Sequence, residues 1–440
     1  MSQSSRREFL KRAAAAAVVL PGATSIATGF PANSKVRHAS IGVQGMGGYD
    51  LRQLSSSKNL EVAALCDIDE RHLAAASKLH PKAKTYNDFR ILFDEYGKNF
   101  DSCNVTVPDH MHAPITMTAL NHGKHVYCQK PLTHEIDEAR KIRLAAKKAG
   151  VVTQMGIQIH SHSAYRTGVH LLRSGAVGKI KEVHTWADRR WSNDGRPTPA
   201  TPPKHVHWDL WLGVAPERPW GQNSYHPKKW WSWLDFGTGN LGDMGCHLFD
   251  PVIKSLELTA PTHVIAECKA PEKETWPNAG RLRFHFPTTQ YTAGPITMTW
   301  YDGGFKRGHH PPLDLVPLKK GENLPSQGSI FIGEKGTLLL PHWSTPRLLP
   351  EGRFGKVEEL PTVHHWHSFV DACRGEGKTS ANFDYAGPFT EAILLGNLAK
   401  RFPTQMLAWD AANLKVTNFS EANNYLGRKY RKGWEIPGLV

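Results

Sequence analysis

Between Val36 and about Met155, short apolar runs alternate with helical stretches, and a glycine-rich turn follows the first run. The apolar runs His38–Val43, Val62–Cys66, Ser102–Val107, His125–Cys128 and Val151–Met155 read as strands, with helical stretches such as Glu70–Leu79, His112–His122 and Glu135–Ala149 between them. Strands joined through helices pair in parallel, because each crossover must return the chain to the same edge. The alternation therefore predicts a doubly wound α/β sheet over residues 35–155. After one more helix near Tyr165–Ser174 the rhythm changes. Strand then follows strand: Lys179–Trp186, His263–Ala270, Arg281–Phe286, Ile296–Trp300 and Ser329–Ile332. Helices are expected at Asp243–Ser255, His367–Cys373 and Phe389–Arg401. Such a run predicts a second α+β domain, residues 156–440, around a mostly antiparallel open sheet.

With 440 residues, 40% hydrophobic and 21% charged, the chain can bury two cores, which excludes a disordered tail protein. The six cysteines form no C-x-x-C pair and sit mostly in apolar runs, so they read as buried thiols. Lys and Arg exceed Asp and Glu by 54 to 40, yet the densest basic run is only Arg428–Lys432, too short for a nucleic-acid stripe. No nucleic-acid partner is expected.

Residues 1–34 stand apart. Ser5–Lys11 reads SRREFLK, followed by the apolar stretch Ala13–Leu20 and then Pro21-Gly22. That stretch is too short to span a bilayer. The paired Arg6 and Arg7 make the segment resemble a twin-arginine export signal, with cleavage between Ala23 and Ser34. The resemblance implies passage through the twin-arginine machinery as a folded protein, a periplasmic location and no stable membrane span after processing. A chain exported folded would carry a nucleotide acquired in the cytoplasm.

The turn after the first strand is Gly42-Val43-Gln44-Gly45-Met46-Gly47-Gly48-Tyr49-Asp50. It opens a helix, where exposed N–H groups at the positive helix end suit a dinucleotide pyrophosphate. Gly45 and Gly47 match the first two glycines of GxGxxG, Gly48 adjoins them, and Asp50 stands at the third position. Asp67, at the end of the second strand, is placed to accept hydrogen bonds from the adenosine ribose. A carboxylate there repels a 2′-phosphate, so NAD is favoured over NADP.

Two further stretches carry a resemblance. One is Val107-Pro108-Asp109-His110-Met111-His112 with Gly123–Leu132, which contains Gln129-Lys130-Pro131. The other is Trp233–Asp250, in which Asp243 and His247 lie one helical turn apart. From about Val36 to Lys432 the chain resembles the Gfo/Idh/MocA oxidoreductases. The resemblance implies NAD contacts from Gly45, Gly47, Gly48, Asp67, Pro108, His112, Gln129 and Lys130. It also implies a catalytic set of Lys130, Asp243 and His247, with Asp243 orienting and tuning the imidazole as base. The family's Glu-Lys-Pro triplet departs here to Gln129-Lys130-Pro131, leaving a neutral amide to meet the ribose.

Eight tryptophans fall between Trp186 and Trp233, and indoles pack on sugar faces as readily as in cores or subunit contacts. Gln158, Trp231 and His226 are the candidate substrate contacts. The pair His205 and His207, and the trio His364, His365 and His367, lack a carboxylate or thiolate that completes a ligand set, so no metal is expected. The resulting expectation is an NAD-dependent oxidoreductase acting on a hydroxyl or keto carbon of a sugar, polyol or glycoside. The alternatives are a redox-neutral NAD-dependent glycosidase or lyase, and a catalytically silent binding protein. Many relatives pair through the open sheet face, which implies a homodimer or homotetramer.

Overall fold

The computed structural model describes residues 34–189, 196–272, 274–277, 279–303 and 310–440. The arginine pair, its apolar stretch and Trp191 lie outside the described residues. In the first unit six parallel strands stand in the order β3-β2-β1-β4-β5-β6. They are β1 Val36–Ile41, β2 Leu60–Cys66, β3 Lys84–Tyr86, β4 Ser102–Val105, β5 His125–Gln129 and β6 Thr153–Gly156. Helices α1 Met46–Ser55, α2 Glu70–Leu79, α3 Phe89–Tyr96, α4 His112–Asn121 and α5 Ile136–Ala149 connect them. This is the doubly wound dinucleotide-binding topology, whose ligands sit beyond the carboxyl ends of the strands.

Local chemistry sets the helix boundaries. Asp69 and Asp88 cap α2 and α3 by accepting the backbone N–H two residues on. Glu135 and Glu138 form a capping box at α5, and Gly150 ends that helix at a φ of 65°. The short edge strand β3 and helix α3 were not anticipated. Three residues facing partly outward give β3 no alternation to read.

The second unit holds α6 Ser163–Arg173, α7 Gly239–Leu256, α8 His365–Cys373 and α9 Phe383–Arg401. Its sheet comprises β7 Ile180–Ala187, β8 His263–Cys268, β9 Gly280–Phe286, β10 Thr292–Asp302, β11 Gln327–Gly333, β12 Thr337–Pro341, β13 Arg347–Leu349, β14 Leu407–Asp410 and β15 Lys415–Val416. These run in the order β13-β12-β11-β7-β10-β9-β8-β14-β15, antiparallel except for the parallel pair β7 and β10. Leu282 and Phe284 of β9 point inward at Leu241 of α7 and the small Gly396 of α9. On the opposite face Arg281 and Arg283 pair with Glu267, while Trp186, Tyr301 and Ile330 lie beneath Val316 and Leu324. That face is thus ion-paired or covered by the chain itself.

The start of α7 is fastened to both units. Thr238 donates through its backbone N–H and its hydroxyl to the Asp109 carboxylate at 3.0 and 2.6 Å, and accepts Asn397 Nδ2 at 2.7 Å. Nearby, Asn240 bonds Asp302, whose other oxygen takes the buried ammonium of Lys400 at 2.7 Å. Arg140 of α5 forks both oxygens of Glu391 on α9, each at 2.7 Å. α7 therefore enters the junction held from both sides.

Candidate active site at the junction of the two sheets

The turn after β1 is built for close approach. A Cβ at Gly42 would meet Thr106 O at 2.0 Å, and one at Gly47 would meet Gly42 O at 2.3 Å. Gly45 sits at a φ of 60° with no atom within 4 Å of where its Cβ would be, and no side chain caps α1. An open concavity before an uncapped helix start fits a pyrophosphate. Asp67, at the tip of β2, accepts Val43 N at 3.0 Å and Asp69 N at 2.9 Å. It braces the cradle before any ribose reaches its remaining lone pairs. Asp67→Ala should weaken NAD binding by about tenfold, the worth of a hydrogen bond to a charged group. The preference for NAD over NADP should shrink with it, read as the ratio of the two Kd values. Copurification of the native protein with NADP would overturn this role.

Gln129, which the resemblance assigns to the ribose, has both polar atoms bonded within the protein. Its Nε2 donates to Asp50 at 3.0 Å, and its Oε1 accepts Lys130 N at 3.3 Å. Asp50, the residue at the third glycine position, is fully buried and also takes Thr106 Oγ1 and Trp366 Nε1, each at 2.8 Å. Burial pushes its carboxyl up to about 6 against the pull of these donors. A buried carboxylate needs donors. The departures at Asp50 and Gln129 are therefore one compensation, since a glutamate at 129 would face Asp50 with a second acid.

His112, a cofactor contact by the resemblance, also has a structural part. Its Nδ1 lies 2.6 Å from Pro131 O and its Nε2 2.9 Å from Val107 O, so the buried ring staples the two loops that carry Pro108 and Lys130. Burial lowers it to about 4. Pro108, half-buried, precedes the turn that carries Asp109.

Lys130, Asp243 and His247 converge. The Lys130 ammonium bonds the Asp243 carboxylate and, at 3.1 Å, the Asp243 carbonyl oxygen. Burial works against the Lys130 charge, but Asp243 overrides it and holds the lysine above its ordinary value. Helical spacing pairs Asp243 with His247; the carboxylate also meets the full positive charge arriving from β5. His247 is 8% exposed and its Nδ1 has no hydrogen-bond partner. Burial, then Lys130, His342 and Arg189, drive its pKa well below the usual histidine range. The imidazole is neutral.

Sequence reasoning missed His342 and Trp343. They follow β12, a strand not anticipated, so nothing placed them near α7. The His342 ring lies 5.1 Å from that of His247, both its nitrogens are buried without a partner, and burial lowers it to about 4. Half-exposed Trp343 lies tilted against His342, ring centres 4.8 Å apart, and meets His162 edge-on. Gln158 opens the short turn after β6, and its Oε1 is a buried acceptor with no partner.

The other two substrate candidates go elsewhere. Trp231 packs its ring on Trp230 at 4.9 Å. His226 lies 3.4 Å from Asp69 and against His72 and Trp220, not among the Lys130 group. Most of the tryptophan cluster is core: Trp211, Trp220 and Trp233 are buried with Tyr225 and Phe236, and Trp208 stacks on Trp211 at 4.7 Å. The long segment between β7 and α7 packs these aromatics on one another and on Ile68 and His110 of the nucleotide domain. Five of the six cysteines are buried and all are free thiols. No helix among the described residues is long and apolar enough to cross a membrane.

A parallel 3-2-1-4-5-6 sheet with a glycine cradle, joined to a lysine, carboxylate and histidine beyond its strand ends, defines the architecture of a dinucleotide-binding oxidoreductase. Residues 36–157 match the family model described as the oxidoreductase family NAD-binding Rossmann fold, and residues 177–289 match that family's C-terminal alpha/beta domain. Together these cover more than half of the chain, which belongs to the Gfo/Idh/MocA oxidoreductase family. Its first unit is an NAD-binding domain.

Among curated relatives, the inositol 2-dehydrogenase of Salmonella typhimurium is 31% identical over 147 residues, covering 33% of this chain and 43% of that protein. The levoglucosan dehydrogenase of Pseudarthrobacter phenanthrenivorans is 23% identical over 164 residues, 37% of this chain and 34% of that protein. The chain thus matches less than half the length of these relatives. Among solved structures, the WlbA dehydrogenase from Bordetella pertussis, in complex with NADH and UDP-GlcNAcA, shares the fold with a TM-score of 0.59 at 14% identity. That superposition covers 86% of this chain and 99% of the other.

Proposed function

We propose that the protein is an NAD-dependent oxidoreductase acting on a hydroxyl, or the matching keto carbon, of a sugar, polyol or glycoside. The carrying observation is the meeting of Lys130 from the end of β5 with Asp243 and His247 on α7. The dehydrogenase names of the curated relatives support the reaction type. A bound nicotinamide would supply the redox chemistry by taking or giving hydride. The backbone around Gly45, Gly47 and Gly48 would cradle the pyrophosphate, with Asp67 at the ribose. Lys130, kept charged by Asp243, would stabilise negative charge growing on the reacting oxygen. Neutral His247 would take the hydroxyl proton on a ring nitrogen, where its burial strengthens the interaction. Exogenous NAD+ with a panel of sugars, polyols and glycosides tests this. NADH accumulation is expected; aglycone released without NADH marks a redox-neutral glycosidase or lyase instead, and no reaction at all marks a binding protein.

The SRREFLK segment supports folded export to the periplasm. Replacing Arg6 and Arg7 by lysine should leave the protein in the cytoplasm on fractionation, and unchanged export would reject the assignment. The family resemblance further supports a homodimer or homotetramer. A strict monomer by light scattering at micromolar concentration would defeat that.

A further inference from the structure

We propose that Asp69, His72 and His226 form a binding site for one zinc-class divalent metal ion, which pins the inserted segment onto the nucleotide domain. The inference is independent of the oxidoreductase reading. The three side chains come from different places: Asp69 caps α2, His72 lies in its first turn, and His226 belongs to the segment before α7. One potential ligand atom from each falls within 4.8 Å of the others. His72 Nε2 is 3.8 Å and His226 Nε2 3.4 Å from the same oxygen, Asp69 Oδ2. Ligand atoms on a tetrahedron with bonds of about 2.1 Å stand about 3.4 Å apart, so these spacings accept an ion with little movement.

Three further features suit a metal. Behind His72, its Nδ1 lies 3.7 Å from Asp67 Oδ1, the carboxylate that orients a ligating imidazole and leaves its other nitrogen free for the ion. His205 Nδ1 stands 3.1 Å from Asp69 Oδ1, holding the carboxylate so that its other oxygen faces His72 and His226. The strand-like contact that delivers His205 is itself fixed, with Glu70 N donating to His205 O and His207 N to Ile68 O, each at 2.9 Å. The sequence had found no carboxylate for His205; the fold supplies Asp69 from the far side of the cleft. Imidazole nitrogens with one carboxylate and no thiolate match zinc and its neighbours rather than calcium or magnesium. Arg71 now pairs with Asp69, but its side chain is 66% exposed and can swing into solvent as the ion enters, whereas the Asp69 side chain is 0% exposed.

The full-length protein is stripped with chelator, dialysed, and titrated with zinc chloride while bound metal is counted by mass spectrometry and unfolding is followed thermally. One tight equivalent and a raised Tm are expected. His226→Gln and His72→Gln should each remove that equivalent and the Tm gain, while leaving the weaker sites of surface histidines untouched. Arg71→Ala should tighten zinc several-fold, because it removes the cation that competes for Asp69; a purely structural ion-pair cluster would show no such gain. No tight equivalent in the wild-type chain, or one that survives both glutamine variants, overturns the site.

Discussion

Replacing His247 by alanine is expected to lower turnover by about a hundredfold or more, the usual contribution of a positioned base, while NAD affinity changes little. The ring touches no part of the glycine cradle and lies on the other domain. Lys130→Ala should cost at least as much and should weaken cofactor binding too, because its ammonium is what meets Asp243 of α7 across the cleft. Removing Lys130 also takes away the ammonium that Asp243 holds. The rising limb of kcat/KM against pH belongs to the free base. Since burial and the neighbouring Lys130 push His247 down, that limb should fall below the ordinary histidine range and flatten in the alanine variant. A limb at or above that range would mean that another group is the base.

The second large effect is on folding. Gln129→Glu, which restores the residue usual in the family, should destabilise this chain by about 3 kcal/mol, since a donor to a buried carboxylate becomes a second carboxylate. Asp50 in the native protein stands at about 6 when folded against 3.8 ordinarily. Its stabilising contribution is therefore complete below about 3.8 and is lost as pH rises through about 6. A second acid beside it deepens that loss, so the penalty should be largest near neutral pH and shrink on acidification as the pair takes up a proton. Denaturant unfolding at two pH values reads both. A double change, Asp50→Gly with Gln129→Glu, should recover part of the loss; a penalty unchanged by pH would contradict the pairing.

The periodic parts of the chain were legible. The βαβ alternation gave the parallel sheet, Glu70–Leu79 was read to the residue, and the approach of Lys130 to α7 was foreseen through the family resemblance. What stayed hidden depended on distant partners. That Asp243 meets Lys130 depends on a charge arriving from 113 residues away, which helical spacing cannot report. Gln129 and Asp50 are 79 apart and looked like two separate departures until burial joined them. His342 follows a short strand of plain leucines, and its value lies wholly in where the sheet delivers it. The aromatic cluster carried no periodicity that separates a sugar platform from a core, and only burial resolved it.

The most direct test uses the cofactor the protein itself carries. The native protein is first shown by intact mass to hold NAD(H). It is then oxidised, mixed with the sugar or polyol found in the panel, and followed by the absorbance of reduced nicotinamide, with the His247→Ala variant alongside. The expected result is rapid reduction in the native protein and a variant that holds NAD but stays oxidised. A chain that binds no dinucleotide, or two proteins reduced at the same rate, would contradict the assignment of this site.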